Sequence, residues 1–389
     1  MKFNKVRLLM FSFILFLGIL SGCSSSSSST GDNEGSDGSN STNGDTIAIG
    51  AIFPLTGAGA TYGEMYKQGV DLAIEEINAA GGVNGKPLSV IYEDGRAEPK
   101  TSVQAIQTLA AKDIPFVLSA YTGVTLGILP TAERNKITVI NGGGQGDELA
   151  GASPFLFNTI PLLGLEVEVL VKYLTEEKPE LKNAYVIHVD DDSGRSGLNK
   201  FTEEFAKNGG EILGSGSHKF GETNFRAILT KAKASNPDLL YIASHGQDAK
   251  LVIDQAKELG IQSQIVNTSW TVIPEIVTNP NGQGIIHTSI AFNPAEEWLA
   301  KYKEKYGTDQ VSSYVSNYYD AVKIFAQAYE YAIENGLGED GEAIANAIKE
   351  IKEFESANGI ITFNDDGTSI RQIDVSEIVD NQSNLIKSY

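Results

Sequence analysis

The chain has 389 residues, and its 50 acidic against 30 basic residues give a formal net charge of −20. An acidic surface repels nucleic acid and anionic lipid, so the composition excludes a nucleic-acid-binding role and leaves solubility as the simplest reason for the charge. Cys23 is the only cysteine, which excludes a disulfide within the chain and a cysteine nucleophile in the folded part.

The N-terminus predicts a secreted, lipid-anchored protein. Residues 1–22 begin with basic residues and continue with an apolar stretch of about 13 residues, shorter than the roughly 20 that span a membrane, as is typical of a secretory signal. Residues 20–23, Leu-Ser-Gly-Cys, resemble the lipobox of bacterial lipoproteins, which implies cleavage before Cys23 and attachment of a lipid to it; an ordinary buried cysteine is the alternative. Residues 24–45 are polar and of low complexity, so residues 23–45 are predicted to be a flexible tether.

From residue 46 onward, short apolar runs alternate with stretches of helical periodicity. In the first such stretch, Val70, Ala73, Ile74 and Ile77 have the spacing of one helix face. Strands separated by single helices predict right-handed βαβ units and a parallel sheet. The strands predicted in this part are residues 46–53, 88–93, 116–119 and 137–141, and the helices are predicted at 62–79, from about Pro99, and up to about residue 135.

The same alternation starts again after residue 164 and predicts a second α/β lobe. Because the roughly 345 residues after the tether exceed the size of one hydrophobic core, we predict an α/β fold class with two Rossmann-like lobes built on parallel sheets. Two final strands are predicted to flank the turn Asn-Asp-Asp-Gly at 364–367. The strands predicted in this part are 184–189, 211–216, 239–244, 264–269, 285–292, 359–363 and 373–378, and the last three helices are 295–306, 311–334 and 342–354.

The residues that follow each strand are the candidates for a site, because ligands bind at the carboxyl ends of parallel strands. The run Asn-Gly-Gly-Gly-Gln-Gly at 141–146 lacks the spacing of a dinucleotide-binding loop and follows the fourth strand of its lobe rather than the first. Four widely separated histidines predict no metal pair, and the acidic run 190–192 lacks the spacing of a calcium loop, so helix capping and solvation are favoured there. We therefore expect no enzyme, no catalytic residue, no metal and no cofactor.

Four segments carry a resemblance to a known family: residues 49–94, 238–264, 316–332 and 359–375. They resemble the branched-chain amino-acid (leucine/isoleucine/valine) binding proteins of ABC importers, which have the type I periplasmic-binding fold. In that fold the chain passes between the lobes three times, through a three-strand hinge. The resemblance implies an N-terminal lobe of residues 46–163 plus 293–372 and a C-terminal lobe of residues 164–292 plus 373–389.

The resemblance also implies where the ligand carboxylate is held. The family uses a hydroxyl after the third strand, here Thr122, and groups after the fourth strand, here Gly143, Gly144 and Gln145. Successive glycine N–H groups have no Cβ to block an approaching anion, which agrees with such a role. For the glycines a plain turn is the alternative, and for Thr122 a helix cap is the alternative.

The other positions that the resemblance assigns to ligand contact are Tyr62, Ser193, His245, Ser269 and Trp270. Ser269 stands where the family has an acidic residue for the ligand ammonium. A buried ammonium would therefore lack its carboxylate here, unless one of the aspartates 190–192 supplies it. Trp270 either stacks on the ligand or packs between the lobes, and for Tyr62 core packing is the alternative.

Together these features imply an extracytoplasmic solute-binding lipoprotein of an ABC importer, and the tether and missing disulfide favour a Gram-positive cell membrane. The predicted ligand is an amino acid or a related small carboxylate or amide, bound by hinge closure of the two lobes. The predicted partners are the permease subunits of the importer, and the membrane through the N-terminal lipid, with no nucleic acid. A ligand-sensing receptor module that passes its occupancy to a signalling partner is the alternative.

Overall fold

The computed structural model describes residues 46–309 and 311–389. The predicted signal sequence (1–22), Cys23 and the rest of the tether lie outside the described residues. Of the helices in these two ranges, none is both long enough and apolar enough to cross a membrane.

The first part of the chain forms a five-stranded sheet with three helices. Its elements are β1 (Ile47–Phe53), α1 (Ala60–Ala79), β2 (Leu88–Asp94), α2 (Pro99–Ala110), β3 (Phe116–Ser119), α3 (Thr122–Arg134), β4 (Thr138–Asn141) and β5 (Leu156–Asn158). The strands are ordered β2-β1-β3-β4-β5, and every pair is parallel. The four predicted strands are confirmed, whereas β5, at three residues, is too short to give a recognisable apolar run.

A second run of alternating elements forms the parallel part of another sheet. Its elements are α4 (Leu163–Glu177), β6 (Asn183–Val189), α5 (Asp192–Lys207), β7 (Glu211–His218), α6 (Arg226–Ser235), β8 (Leu239–Ala243), α7 (Gly246–Glu258), β9 (Gln264–Asn267), α8 (Pro274–Val277) and β10 (Ile286–Ile290). Helix α5 begins five residues before the predicted start at 197. The reason is an N-cap, because the Asp191 carboxylate accepts a hydrogen bond of 2.7 Å from the Gly194 N–H and so stabilises the first turn. The prediction of capping in the acidic run is confirmed at Asp191.

The chain then returns to the first sheet. The elements are α9 (Glu296–Tyr306), α10 (Ser313–Glu334), α11 (Gly341–Ile351), β11 (Glu353–Ser356), β12 (Gly359–Phe363) and β13 (Ser369–Ile370). Helix α10 packs closely on α1 at Gly69, where a Cβ atom would lie 2.1 Å from the Val315 carbonyl oxygen. Glycine is therefore required at this crossing, because any side chain would push the two helices apart.

The end of the chain differs from the prediction. The turn at 364–367 joins β12 to the short strand β13 in a small antiparallel sheet, and not to the strand predicted at 373–378. That strand is β14 (Ile373–Val379), which crosses to the second sheet and pairs antiparallel with β10. A further strand, β15 (Gln382–Ser388), pairs with β14 at the edge of the same sheet. The pattern misleads here because strand periodicity does not reveal which sheet a strand joins.

The described residues thus form two α/β lobes. The first lobe contains the five-stranded sheet with α1–α3, α9–α11 and the small sheet β11–β13. The second lobe contains the seven-stranded sheet, ordered β15-β14-β10-β9-β8-β6-β7, with α4–α8. The chain passes between the lobes three times: after β5, after β10 and before β14. The predicted fold class, two Rossmann-like lobes with parallel sheets, is confirmed.

Candidate functional site

A small cavity lies where the carboxyl ends of the strands in the two lobes meet. Its volume is about 10 Å³, which is room for about one water molecule. Five of the nine predicted ligand-binding residues line it, and they come from both lobes. These five are Tyr62, Gly143, Ser193, His245 and Trp270. The other four do not line the cavity. Thr122 is hydrogen-bonded to Ser193 and Gln145 to Trp270, while Gly144 and Ser269 are chain neighbours of lining residues.

Five aromatic side chains surround the cavity and form what we call the aromatic box: Tyr62, Tyr66, Tyr121, Trp270 and Tyr314. Tyr62 meets two of the other rings edge to face, and the contacts of Tyr66 with Tyr62 and Tyr314 are tilted. Tyr62 is perpendicular to Tyr314, with ring centroids 5.2 Å apart, and to Tyr121, with centroids 6.4 Å apart. Such edge-to-face contacts favour a rigid arrangement, so the box is a preorganised surface rather than a loose cluster.

Tyr62 connects the two lobes through its hydroxyl group. It accepts a hydrogen bond of 3.0 Å from the Gly246 N–H and donates one of 3.3 Å to the Trp270 carbonyl oxygen. Tyr62 lies on α1 of the first lobe, whereas both partners belong to the second. Burial raises the pKa of the Tyr62 hydroxyl well above its usual range, so the group stays protonated and can donate.

Thr122 and Ser193 make a second direct contact between the lobes. Their hydroxyl oxygens are 2.8 Å apart, and both residues are buried. The Thr122 hydroxyl also accepts a hydrogen bond of 2.7 Å from the Gly146 N–H. It does not cap α3, whose N-cap residue is Tyr121 without a side-chain cap bond, so the helix-cap alternative for Thr122 is wrong.

The glycine loop after β4 is held by its own first residue. The side-chain oxygen of Asn141 accepts hydrogen bonds from the N–H of Gly144, at 2.7 Å, and from the N–H of Gly143, at 3.3 Å. A Cβ atom on Gly143 would lie 2.8 Å from the Tyr66 hydroxyl oxygen, so glycine is needed here for close packing against the aromatic box. The two amide groups that were predicted to hold a carboxylate are thus engaged within the loop.

Gln145 links the first lobe to a buried carboxylate in the second. Its amide nitrogen donates to Glu166 Oε1 at 2.5 Å, and its amide oxygen accepts a hydrogen bond of 2.6 Å from Trp270 Nε1. The Glu166 carboxylate also accepts from the Ser269 N–H and hydroxyl, both at 2.8 Å, and from the Thr288 hydroxyl at 3.0 Å. Burial raises the pKa of the Glu166 carboxyl, and these hydrogen bonds oppose the rise without cancelling it.

His245 lines the cavity and contacts the acidic run. Its Nε2 lies 3.4 Å from Asp191 Oδ2, while Nδ1 is buried and has no hydrogen-bond partner among the described residues. Burial alone would raise the pKa of Asp191, but the hydrogen bonds from His245 and from the Gly194 N–H hold it below its usual value. Asp190 and Asp192 instead form ion pairs of 2.7 Å with Arg195 at the surface.

The sequence analysis assigned ligand contact to none of four residues of the site: Tyr66, Tyr121, Glu166 and Tyr314. Two signals could have revealed some of them. Tyr66 lies one helical turn after Tyr62 on the same face of α1, and Glu166 lies on the apolar face of α4, with Leu163 three residues before it and Leu170 four after. Tyr121 has a φ of 66°, which is unusual for a non-glycine residue and visible only in the structure. Tyr314 is almost 200 residues from Tyr121, and no local pattern connects them.

In residues 46–309 and 311–389, no three or more histidine, cysteine, aspartate or glutamate side chains are grouped so that they could hold a metal ion.

Comparison with known proteins places the fold in a family. The family described as "Periplasmic binding protein" matches residues 46–383. Leu/Ile/Val-binding protein homolog 3 of Brucella melitensis is 28% identical over 333 residues, which cover 82% of this chain and 88% of the relative.

Two solved structures share the fold and were determined with different ligands. The branched-chain amino acid transporter substrate-binding protein LivJ from Streptococcus pneumoniae, in complex with isoleucine, has a TM-score of 0.79 and 23% identity, covering 88% of this chain and 100% of its own. A solute-binding protein of an ABC transporter from R. palustris, in complex with benzoate, has a TM-score of 0.79 and 16% identity, covering 88% and 96%. The family consists of solute-binding proteins rather than enzymes. The predicted resemblance is confirmed, and the chain belongs to the periplasmic binding protein family, with the type I periplasmic-binding fold.

Proposed function

We propose that this chain is the extracytoplasmic solute-binding subunit of an ABC importer, and that it closes on its solute between the two lobes. One observation carries the proposal: residues of both lobes surround a single cavity and are joined across it by hydrogen bonds. The contacts are Thr122 to Ser193, Tyr62 to Gly246 and Trp270, and Gln145 to Trp270. Such contacts form only when the lobes approach, so they favour a closed form.

Solute entry requires the lobes to separate. The cavity has a volume of about 10 Å³, and six of its eight lining residues are buried, so no amino-acid-sized molecule enters without opening. The three connections between the lobes are the natural hinge, because a few residues in such segments can absorb the backbone rotation. The permease subunits of the importer would then recognise the closed form.

The proposed solute is an amino acid or a related small carboxylate or amide. The relatives supply the range, because their names and titles include leucine, isoleucine, valine and benzoate. The aromatic box suits a solute with an apolar or flat body, since aromatic rings bury such surfaces well. Ser269 does not exclude an α-amino acid, because the Glu166 carboxyl group lies 2.8 Å from its hydroxyl and brings an acidic side chain to this side of the cleft.

Membrane attachment is proposed to occur through a lipid on Cys23. The polar residues 24–45 would then hold the folded part at a typical distance of about 26 Å from the lipid, close enough to reach permease subunits in the same membrane.

A thermal-shift screen over amino acids, amides and small aromatic or aliphatic acids tests solute binding. A ligand at 100 times its Kd stabilises the folded state by about 2.7 kcal/mol, which is readily detected. Small-angle X-ray scattering with the best ligand should give a smaller radius of gyration than without it. If no small solute raises the melting temperature, or if binding leaves the radius of gyration unchanged, closure on a solute is the wrong function.

A further inference from the structure

The charges around the aromatic box are unusual for a site that would hold an anion. None of the described residues that line the cavity is a lysine or an arginine. The charged groups nearby are mostly carboxylates: Asp191 contacts His245, and Glu166 lies two hydrogen bonds behind Trp270. Arg195, the nearby cation, is bound to two aspartates at the surface and half exposed. The electrostatic surroundings therefore favour a positive group in the cavity.

The aromatic rings themselves favour a positive group. The faces of tyrosine and tryptophan rings carry negative charge density, and a cation enclosed by several of them is held without a direct salt bridge. Trp270 donates its indole N–H to Gln145, which in turn donates to the Glu166 carboxylate. This chain of hydrogen bonds polarises the indole, because each bond strengthens the next, and it makes the Trp270 ring richer in electrons.

His245 offers a specific hydrogen-bonding partner for such a cation. An ionised Asp191 can only accept a hydrogen bond, so we assign a proton to Nε2 of His245, which faces Asp191 Oδ2 at 3.4 Å. In the neutral imidazole, Nδ1 then carries a free lone pair. This atom is buried in a residue that is 5% exposed, and it has no partner among the described residues. A ligand N–H group would satisfy it.

The glycine loop offers little to an anion. The N–H groups of Gly143 and Gly144 are both bound to the Asn141 side-chain oxygen. A ligand carboxylate would have to displace these two bonds, whereas an ammonium group in the aromatic box displaces none.

We infer that the aromatic box is an ammonium site: it selects solutes that carry an ammonium group with at least one N–H, and it does not require a carboxylate on the solute. This inference rests on the proposed function, because it names the solute class of the same cleft. Amines and amino acids of one hydrocarbon body should therefore bind, and the matching carboxylate without an amino group should not.

Two matched series of solutes test the inference. Each contains an amine, an amino acid and a carboxylate with similar bodies: phenethylamine, phenylalanine and phenylpropanoate, and isoamylamine, leucine and isocaproate. The chain has two tryptophans, so Trp298→Phe leaves Trp270 as the single tryptophan, whose fluorescence reports on the box. Calorimetry on the unmodified chain gives the same comparison should Trp298→Phe not fold.

We expect the amine of at least one series to bind at least about tenfold more tightly than its carboxylate, as expected for a desolvated cation against aromatic faces. Equal or tighter binding of the carboxylate overturns the inference, and so does binding of the amino acids without either amine; both outcomes leave the proposed function standing. If no solute of the two series or of the wider screen binds, the proposed function fails and the inference fails with it.

A pair of variants separates the ring face from the hydroxyl. Tyr314→Phe keeps the face of the ring and should change amine affinity by less than about threefold, while Tyr314→Leu removes the face and should weaken it by about tenfold. The pair Tyr66→Phe and Tyr66→Leu gives a second measurement with the same expectation. Equal losses for the Phe and Leu variants would contradict a role for the aromatic faces.

Discussion

Replacing Tyr62 with phenylalanine removes one hydroxyl from the contact between the lobes and leaves the ring in the aromatic box. In the closed form the Gly246 N–H and the Trp270 carbonyl oxygen would each lose a partner, at 3.0 and 3.3 Å. Two neutral hydrogen bonds contribute about 0.5–1.5 kcal/mol each, or about 1–3 kcal/mol together. In the open form water replaces both bonds, so the loss falls almost entirely on closure.

The equilibrium between the closed and open forms should therefore shift toward the open form by a factor of about 5 to 150, and the apparent Kd for the solute should rise by up to the same factor. Isothermal titration calorimetry measures the Kd, and small-angle X-ray scattering without ligand measures the open population. An unchanged Kd, within about twofold, would refute the reasoning that these bonds hold the lobes together.

Tyr185→Phe is the matched control. Its hydroxyl also donates a hydrogen bond to a backbone carbonyl, that of Ser215 at 3.0 Å, but both residues lie in the second lobe. This variant should lose a similar amount of stability in urea unfolding and keep its affinity for the solute. A loss of affinity equal to that of Tyr62→Phe would show that general loosening, and not the contact between the lobes, controls binding.

Three further predictions concern packing, charge and anchoring. Gly69→Ala should destabilise the fold by about 1–3 kcal/mol or more in urea unfolding, because the added Cβ would lie 2.1 Å from a carbonyl oxygen. Gly127→Ala is the control and should cost little, because the atom nearest to its added Cβ is 3.4 Å away. Equal losses of stability in the two variants would contradict the role of close packing at Gly69. Burial raises the pKa of Glu166 in the folded protein, so its stabilising contribution is present below the ordinary pKa of 4.5 and is lost as pH rises through the folded pKa. In that window the wild type should lose stability relative to Glu166→Gln by up to about 1.4 kcal/mol per pH unit. A stability difference that does not vary with pH would contradict this. Cys23→Ser should move the protein from the membrane fraction to the soluble fraction without changing solute affinity, and continued membrane attachment would exclude the lipid anchor.

The elements of the fold were largely predictable because they follow from local patterns. Alternating apolar runs and helical periodicity between residues 46 and 292 predict parallel sheets, and the structure has them. The failures occur where pairing is not local. The turn at 364–367 is a sharp reversal, as its sequence indicates, but its partner strand has only two residues, and the longer strand beyond it joins the other lobe.

The candidate site was predictable only in part. Positions just after strands, such as Ser193 and His245, could be assigned because the carboxyl ends of parallel strands lie at one edge. The amide groups of the glycine loop could not be judged from sequence, since the acceptor that binds them is the side chain of Asn141, in the preceding strand. A glycine run provides N–H donors, but the acceptor to which they bond depends on the folded conformation of the loop.

The class of protein could be predicted from the sequence alone, because an acidic chain with no catalytic motif has the periodicity of two α/β lobes. The chemistry of the cleft depends on contacts between residues that are far apart in the sequence. The Glu166 carboxyl group lies next to Ser269 although the two residues are 103 positions apart, and Tyr314 packs on Tyr62 from a distant part of the chain. Local periodicity records which face of a helix is buried. It does not indicate which residues contact that face, because those contacts depend on how distant elements pack. In this protein the packing of distant elements sets the charge and shape of the site.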